Sequence, residues 1–239
     1  MFRRMSRRNT PSGYRRIDRG WVVSRRMGKP RSAAGRAKVV AERLAVEFPE
    51  ARCELDHRNA FELLAATILS AQCTDARVNM VTPALFKAYP TPGDLAVADI
   101  SRVEEFVRST GFYASKAKNL IGMARALIER FDGEVPRDLD DLVTLPGVGR
   151  KTGNVVRSVA FDLPGLPVDT HVGRLSRRLG LTTEDDPVKV EFELNKFLPP
   201  AEWGRFSLRL ILHGRRTCDA RKPKCRDCVL ADFCPSANP

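Results

Sequence analysis

Apolar residues recur at helical spacing along almost the whole chain after Ala37, and this pattern restricts the fold more than any other sequence feature. Val40, Leu44 and Phe48, for example, fall on one face at intervals of four residues. The connections between such segments are short, and no convincing alternation of apolar and polar residues indicates a strand. The pattern predicts an all-α fold of packed helices.

The periodicity, together with capping and helix-breaking residues, predicts ten helices. They span residues 37–48, 60–69, 75–89, 99–109, 115–131, 136–144, 151–161, 170–179, 187–197 and 202–213. Asn59 is the expected N-cap of the second of these helices, which is apolar nearly all round and therefore expected to be buried. The cluster Pro90-Thr91-Pro92-Gly93 is expected to end the third helix.

A tight glycine turn joins two of these helices at Leu145-Pro146-Gly147-Val148-Gly149-Arg150-Lys151-Thr152. Glycine lets backbone N–H groups approach a phosphate oxygen, and the helix that follows begins with free N–H donors. The sequence therefore predicts that Gly147, Val148, Gly149 and Arg150 contact the backbone of a nucleic acid.

Lys151 follows the turn, and its position suggests chemistry. An arbitrary lysine on a basic protein is usually a solvated surface charge. Lys151, however, opens a helix, where the peptide dipoles disfavour added positive charge, and it follows another cation, Arg150. Both effects favour the neutral, nucleophilic amine, which can attack a sugar.

Asp169, in the segment Val168-Asp169-Thr170-His171, is the candidate partner of that amine. It precedes a predicted helix and can act as its N-cap. A carboxylate near the amine can also orient it and accept its proton. The two roles are compatible, and local sequence does not choose between them. His171 is expected to pack or to face phosphate, with no chemical role.

Four of the six cysteines lie close together near the C-terminus, which predicts a metal site. They are Cys218, Cys225, Cys228 and Cys234. Four thiolates complete either a tetrahedral zinc site or the corners of an iron–sulfur cluster. The gaps of six and five residues are wide for a zinc ribbon, but the spacing alone leaves both metals open. The remaining two, Cys53 and Cys73, are expected to be buried as small apolar residues.

The net charge of +12 is concentrated at the N-terminus. Residues 1–36 contain twelve of the 41 Lys and Arg residues and a single acid, Asp18. Such a segment is expected to form a disordered arm that adds salt-dependent affinity for nucleic acid. A solvated leader or an organelle transit peptide is the alternative interpretation. No apolar run is long enough to cross a membrane, and an intracellular location is expected.

Six segments in this order resemble the endonuclease III family of helix-hairpin-helix DNA glycosylases. They are Leu69-Ser70-Ala71-Gln72, Gly111-Phe112-Tyr113, residues 145–152, residues 168–171, Leu212-His213-Gly214-Arg215 and the cysteine quartet. The resemblance covers roughly Ala37 to Pro235. Gly153 stands where the family commonly has alanine, which is expected to loosen its helix. Cys73 stands where the family more often has Thr, Ser or Ala.

The resemblance implies an all-α fold of two helical lobes with a DNA cleft between them. One lobe, residues 53–163, would be a six-helix barrel that carries the helix-hairpin-helix motif. The second lobe, residues 37–52 plus 164–239, would hold a [4Fe–4S] cluster on Cys218, Cys225, Cys228 and Cys234. Residues 1–36 form the arm outside the resemblance.

The activity that the resemblance implies is removal of oxidised pyrimidines from double-stranded DNA, followed by strand incision at the abasic site. Lys151 matches the family's nucleophile, and Asp169 matches the nucleophile's partner. Gln72 matches the position that fills the vacated base stack, and Phe112 matches a second wedge. The protein is expected to act as a monomer with DNA, in a bacterial cytoplasm or nucleoid, with a nucleus or organelle left open.

Two other functions fit parts of the same pattern. A mismatch-adenine glycosylase shares the hairpin and the cysteine cluster, but that branch lacks lysine at the position of Lys151 and usually carries a further C-terminal domain. A DNA-binding protein that kept only the scaffold would not need Lys151 and Asp169.

Overall fold

The computed structural model describes residues 29–238 and, before them, the backbone of two short strands. Strands β1 (Tyr14–Ile17) and β2 (Gly20–Val23) pair antiparallel, with Tyr14 opposite Val23. They are the only strands in the part of the chain that is described, and the sequence reasoning did not predict them. Both segments are rich in aromatic and β-branched residues, which favour strands. The rest of the expected disordered arm, residues 1–13, 18–19 and 24–28, lies outside the described residues.

The first helix, α1 (Ala33–Glu47), begins four residues before its predicted start. Ser32 is its N-cap, and the Ser32 hydroxyl accepts a hydrogen bond from the Gly35 N–H at 3.1 Å. The Arg36 Nε donates to the carbonyl of Gly180 at 3.1 Å, on a distant turn. The expected end of the arm at residue 36 therefore falls inside a packed helix.

Ten more α-helices follow within the described residues. They are α2 (Ala60–Leu69), α3 (Asp75–Ala88), α4 (Pro92–Ala96), α5 (Ile100–Val107), α6 (Tyr113–Phe131), α7 (Leu139–Leu142), α8 (Arg150–Ala160), α9 (Thr170–Arg178), α10 (Pro187–Asn195) and α11 (Trp203–Arg216). Short 3₁₀ turns span Arg108–Thr110, Pro200–Glu202 and Cys225–Asp227. None of the described helices is both long and apolar enough to span a bilayer. The prediction of an all-α fold is confirmed for this helical body.

The cluster Pro90-Thr91-Pro92-Gly93 ends α3 as expected, since that helix stops at Ala88. The sequence reasoning missed the short helix α4, which begins within the same cluster at Pro92. Thr91 and Asp94 form a reciprocal capping box there, and proline is favoured at the first helical position because that N–H needs no partner. The predicted helix at 136–144 shortens to the single turn α7.

The buried apolar residues form two separate core clusters. The first extends from Leu55 to Val156 and has the fully buried helix α2 at its centre. The second joins α1 to a set of residues that extends from Leu166 to Leu230. We refer to residues 53–163 as the first lobe, and to residues 37–52 with 164–238 as the second lobe. Helices α8 and α11 contact each other across the boundary.

Gly153 lets α7 pack closely on α8. A Cβ atom at this position would lie 2.6 Å from the Cδ1 atom of Leu139, so any larger residue would require Leu139 to move. The glycine that was expected to loosen α8 thus has a packing role.

Candidate active site and cysteine cluster

The glycine turn between α7 and α8 presents backbone N–H groups rather than side chains. Gly147 has φ +76°, and a Cβ atom there would lie 2.9 Å from Asn119, so both the backbone conformation and the packing require glycine. Gly149 is the N-cap of α8, no side chain bonds to this helix end, and the space next to Gly149 is open. The apolar side chain of Val148 is buried and anchors the turn. The first N–H groups of α8 are therefore available to an anion.

Lys151 and Asp169 lie at the starts of two successive long helices, and both line one cavity of about 80 Å³. Lys151 is the second residue of α8 and is exposed. The cavity wall takes residues from both lobes, including Thr67 of the first and Leu208 of the second. The two residues that the sequence predicted as nucleophile and partner thus share one cleft between the lobes.

Asp169 is the N-cap of α9, as local sequence suggested. Its Oδ1 atom accepts a hydrogen bond from the Val172 N–H at 2.8 Å. The second carboxylate oxygen, Oδ2, makes no hydrogen bond with the described residues. One oxygen can therefore hold the helix end while the other faces the cavity.

Arg150 is paired inside the protein. Its Nε and Nη2 atoms donate to the two carboxylate oxygens of Glu191 at 2.9 and 2.8 Å, and its guanidinium stacks on Phe192. Glu191 is only 5% exposed, and the pair joins α8 of the first lobe to α10 of the second. Its Nη1 atom alone is left for the predicted DNA contact, which stays a prediction. The paired charge also weakens the argument that Arg150 repels a proton from Lys151.

Other charged groups share the cavity with Lys151 and Asp169. Arg215 of α11 contacts two carboxylates of the first lobe, Asp75 at 2.9 Å and Glu54. Burial raises the pKa of the Cys53 thiol, which feels the charges of these carboxylates and of Lys151. Sequence reasoning missed Glu54, Asp75 and Arg215 because the pairs join positions far apart in the chain.

His171 has the packing role that the sequence allowed. Its ring lies against the backbone of Gly214, where a Cβ atom would come within 2.9 Å of its Nδ1 atom. Burial lowers the pKa of His171, which favours the neutral ring at neutral pH.

Gln72 and Phe112 are both exposed and have unusual backbone conformations. Their φ angles are +52° and +48°, in the left-handed region that residues with a side chain rarely adopt. Phe112 is 68% exposed, although a large aromatic side chain normally favours burial. Such strained and exposed positions are often functional sites.

Lys116 is a residue of this region that the sequence reasoning missed. It is 4% exposed, and its Nζ atom donates to the carbonyl of Thr110 at 2.8 Å, just before the loop that carries Phe112. Burial lowers its pKa. Its spacing from Leu120, Met123 and Leu127 places it on the buried face of α6, which is the signal that could have identified it.

The four C-terminal cysteines line a second cavity, of about 120 Å³, in the second lobe. They are free thiols in the structure. A zinc ion would need its sulfur ligands within about 3.8 Å of one another, given a tetrahedral Zn–S distance of about 2.3 Å. Among the described residues, no three potential ligands converge on such a single-ion position. Four separated thiols around one cavity suit a larger group.

Hydrogen-bond donors surround this cavity, as a set of thiolates requires. The Leu230 N–H points to the Cys228 sulfur at 3.4 Å, and the Arg178 Nη1 atom points to the Cys218 sulfur at 3.3 Å. Without a metal, burial raises the pKa of Cys228 to about 11, so the neutral thiol is favoured until a metal replaces the proton.

Comparison with known proteins extends these observations. The model of the family described as HhH-GPD superfamily base excision DNA repair protein matches residues 65–200. Endonuclease III of Synechocystis sp. is 51% identical over 214 residues, which are 89% of this chain and 96% of that protein. Endonuclease III of Bacillus subtilis is 48% identical over 188 residues, which are 78% of this chain and 86% of that protein.

Solved structures agree with these relatives. A non-covalent endonuclease III–DNA complex has a TM-score of 0.82 and 46% identity, over 85% of this chain and 96% of that chain. A trapped endonuclease III–DNA covalent intermediate has the same TM-score and coverage, with 47% identity. The chain therefore belongs to the endonuclease III family of DNA glycosylases and AP lyases, within the helix-hairpin-helix superfamily of base excision DNA repair proteins.

Proposed function

We propose that this enzyme removes oxidised pyrimidines from double-stranded DNA and then incises the strand at the abasic site, using Lys151 and Asp169. The observation that carries the proposal is the shared cavity, to which α8 brings Lys151 and α9 brings Asp169. The similar solved structures are of endonuclease III with DNA, and one is a covalent intermediate, which supports both the partner and a covalent step.

The damaged nucleotide must leave the base stack to reach this cavity. Extrusion costs on the order of a few kcal/mol, and less for a damaged base. Gln72 and Phe112 are the side chains proposed to replace it in the stack. Their exposure and their unusual left-handed backbone support this role.

The glycine turn is proposed to hold the DNA backbone during this step. The N–H groups of Gly147, Gly149 and the first turn of α8 would donate to a phosphate, whereas the Val148 N–H donates to the carbonyl of Leu145. Because Lys151 lies two residues after Gly149, a phosphate bound at the turn brings the adjacent deoxyribose close to the amine.

The reaction then follows from the two groups. The neutral amine of Lys151 attacks C1′ of the sugar, the N-glycosidic bond breaks, and the base leaves with the bonding electron pair and takes up a proton. Asp169, through its free Oδ2 atom, orients the amine and accepts the proton that the amine loses. Opening of the sugar ring gives a Schiff base between Lys151 and C1′. The Schiff base makes the C2′ proton acidic, and loss of that proton expels the 3′ phosphate by β-elimination.

The cysteine cavity is proposed to hold a [4Fe–4S] cluster on Cys218, Cys225, Cys228 and Cys234. The separated thiols, the surrounding donors and the family membership support this assignment. When bound, the cluster would supply metal–sulfur bonds that join distant positions of the C-terminal segment, which follows α11. Arg178 and the Leu230 N–H would stabilise the ligand sulfurs by hydrogen bonds.

The lobes, the oligomeric state and the N-terminal arm are also part of the proposal. The two lobes are proposed as the folding units on either side of the DNA cleft, with the protein acting as a monomer. The arm, predicted as residues 1–36 and shortened by the early start of α1, is proposed to add affinity for DNA that weakens as salt increases, because it carries a large share of the excess positive charge.

The test is reductive trapping with borohydride on duplexes that contain thymine glycol or an abasic site. The wild-type protein is expected to form a covalent adduct, which Lys151→Ala abolishes while duplex binding changes little. Lys87→Ala, which removes an exposed lysine outside the cavity, is the matched control and is expected to trap normally. Trapping by Lys151→Ala would assign the chemistry to another amine. Release of adenine from mispairs without trapping would favour a mismatch-adenine glycosylase, and binding without any release would favour a non-enzymatic protein.

A further inference from the structure

The reaction cavity contains more charge than the proposed chemistry uses. Arg52, Lys151 and Arg215 contribute three cations, while Glu54, Asp75 and Asp169 contribute three carboxylates. Asp169 already has an assigned partner in the Val172 N–H. The charges of Glu54 and Asp75 therefore need an explanation of their own.

Arg215 contacts both of these carboxylates at once. Its Nη2 atom lies 2.9 Å from Oδ2 of Asp75, and its Nη1 atom donates to Oε2 of Glu54. The planar guanidinium is suited to such a fork, whereas an ammonium group is not. Arg215 belongs to the second lobe and both carboxylates belong to the first, so the contact crosses the cleft next to Lys151.

The thiol of Cys53 shows how closely these charges are grouped. Cys53 lines the same cavity, and the charges of Asp75, Glu54 and Lys151 all act on it. The two carboxylates and the amine therefore occupy one neighbourhood. A carboxylate without another partner there would favour the charged ammonium form of a nearby lysine, which cannot attack a sugar.

We propose that Arg215 is a positioning residue that binds Glu54 and Asp75 and thereby keeps both carboxylates from pairing with the Lys151 amine. This inference rests on the proposed function of Lys151. It adds that the carboxylates of the cavity have different partners. Arg215 takes two carboxylates, and Asp169 remains as the carboxylate available to the amine. The same contact holds the two lobes together over the cavity.

The charged and titratable groups around Lys151 are expected to determine how the rate of covalent trapping depends on pH. Those that line the cavity or flank it are Arg52, Cys53, Glu54, Asp75, Arg150, Asp169, His171 and Arg215. The charge of Arg150 is paired with Glu191, and the neutral form of His171 is favoured. A substitution of Arg215 therefore changes the charge near the Lys151 amine most directly, because it also releases Glu54 and Asp75.

The test measures the single-turnover rate of borohydride trapping on abasic-site DNA as a function of pH. Arg215→Met removes the charge and keeps an apolar stem of similar length. We expect its pH profile to move by about one unit to higher pH, with trapping at pH 7 about tenfold slower, because the released carboxylates favour the ammonium form. The affinity for the duplex is expected to change much less than the rate.

Replacing the two carboxylates is expected to shift the pH profile of trapping in the opposite direction. Glu54→Gln with Asp75→Asn leaves Arg215 without its partners, and an unpaired cation near the amine is expected to move the profile to lower pH. Combining these two changes with Arg215→Met should return the profile close to that of the wild type. The double variant keeps the inference testable if Arg215→Met does not fold, which thermal unfolding will show.

Arg209→Met is the matched control. Arg209 lies on the same helix and pairs with Glu202 at 3.3 Å, but neither residue lines the cavity. Its profile should match the wild type. A wild-type profile for Arg215→Met, or a shift that remains in the triple variant, would overturn the inference. Absence of trapping by the wild-type protein would instead contradict the proposed function itself.

Discussion

Helices α8 and α9 begin at the same cavity, and they begin in opposite ways. The first N–H groups of α8 follow Gly149 and have no side-chain partner. The N-terminus of α9 is capped by Asp169, whose carboxylate accepts from the Val172 N–H. One helix end is thus left open to an external anion, and the other is satisfied within the protein.

The difference has a consequence for the stability of the two helix ends. An N-cap side chain contributes typically about 1 kcal/mol relative to alanine, and glycine forgoes a few tenths of that. Helices α2, α3, α5 and α10 also have side-chain caps. Helix α6 resembles α8, because Phe112 stands at its N-cap without a side-chain hydrogen bond. Helices α7 and α11 also begin without a side-chain cap, so the open ends of α6 and α8 support a DNA contact only together with the exposure of Phe112 and Gly149.

The largest effect is expected from a change that keeps the cap of α9 but removes its charge. Asparagine caps a helix about as well as aspartate. Asp169→Asn should therefore change the free energy of unfolding by less than about 1 kcal/mol, while base release in single turnover slows by about a hundredfold or more. Asp186→Asn, at the N-cap of α10, is the matched control and should retain full activity. A wild-type rate for Asp169→Asn would reduce Asp169 to a cap.

A second substitution converts the start of α8 into one like that of α9. Gly149 has extended backbone angles and open space beside it, so aspartate fits. Gly149→Asp should raise the free energy of unfolding by a few tenths of a kcal/mol and weaken duplex binding by about tenfold or more, because the new carboxylate occupies the N–H groups and repels phosphate. Gly149→Ser supplies a neutral cap, so it separates the loss of free N–H groups from the repulsion between the carboxylate and the phosphate. Unchanged binding by Gly149→Asp would contradict a phosphate site at this turn.

A smaller effect is expected at the open end of α6. Phe112→Gly removes the side chain from a left-handed position and should alter the free energy of unfolding by no more than about 1 kcal/mol, since relief of strain offsets the greater freedom of the unfolded chain. Extrusion of the damaged base, followed by stopped-flow 2-aminopurine fluorescence, should slow by about fivefold through loss of the stacking contact.

Asp132→Gly serves as the control for Phe112→Gly. Asp132 has φ +52° at the other end of α6, and its replacement should relieve similar strain without an effect on extrusion. If Phe112→Gly extrudes the damaged base at the wild-type rate, Phe112 does not act as a wedge.

Local patterns in the sequence predicted all the described helices except α4, because caps and periodicity act over a few residues. The Asn59 cap is confirmed, with the Glu62 N–H donating at 2.9 Å. The proline cluster ends α3 as predicted, but α4 was missed because proline also begins helices, and the Thr91–Asp94 capping box is the local signal for that start.

Contacts between distant parts of the chain were not predictable in the same way. Arg215 and Glu54 are 161 positions apart, and Arg150 and Glu191 are 41 apart, so no local pattern links them. From sequence alone, a charged residue is expected to be solvated, and only the fold shows whether it has a partner. The division of charge in the cavity is therefore visible only in the structure.

The most direct test of the account is to identify the residue that carries the trapped sugar. After borohydride reduction on abasic-site DNA and nuclease digestion, peptide mass spectrometry should find the sugar remnant on Lys151, with tryptic cleavage blocked after that residue. A remnant on the N-terminal amine or on another lysine would contradict the assignment of the reaction to the start of α8.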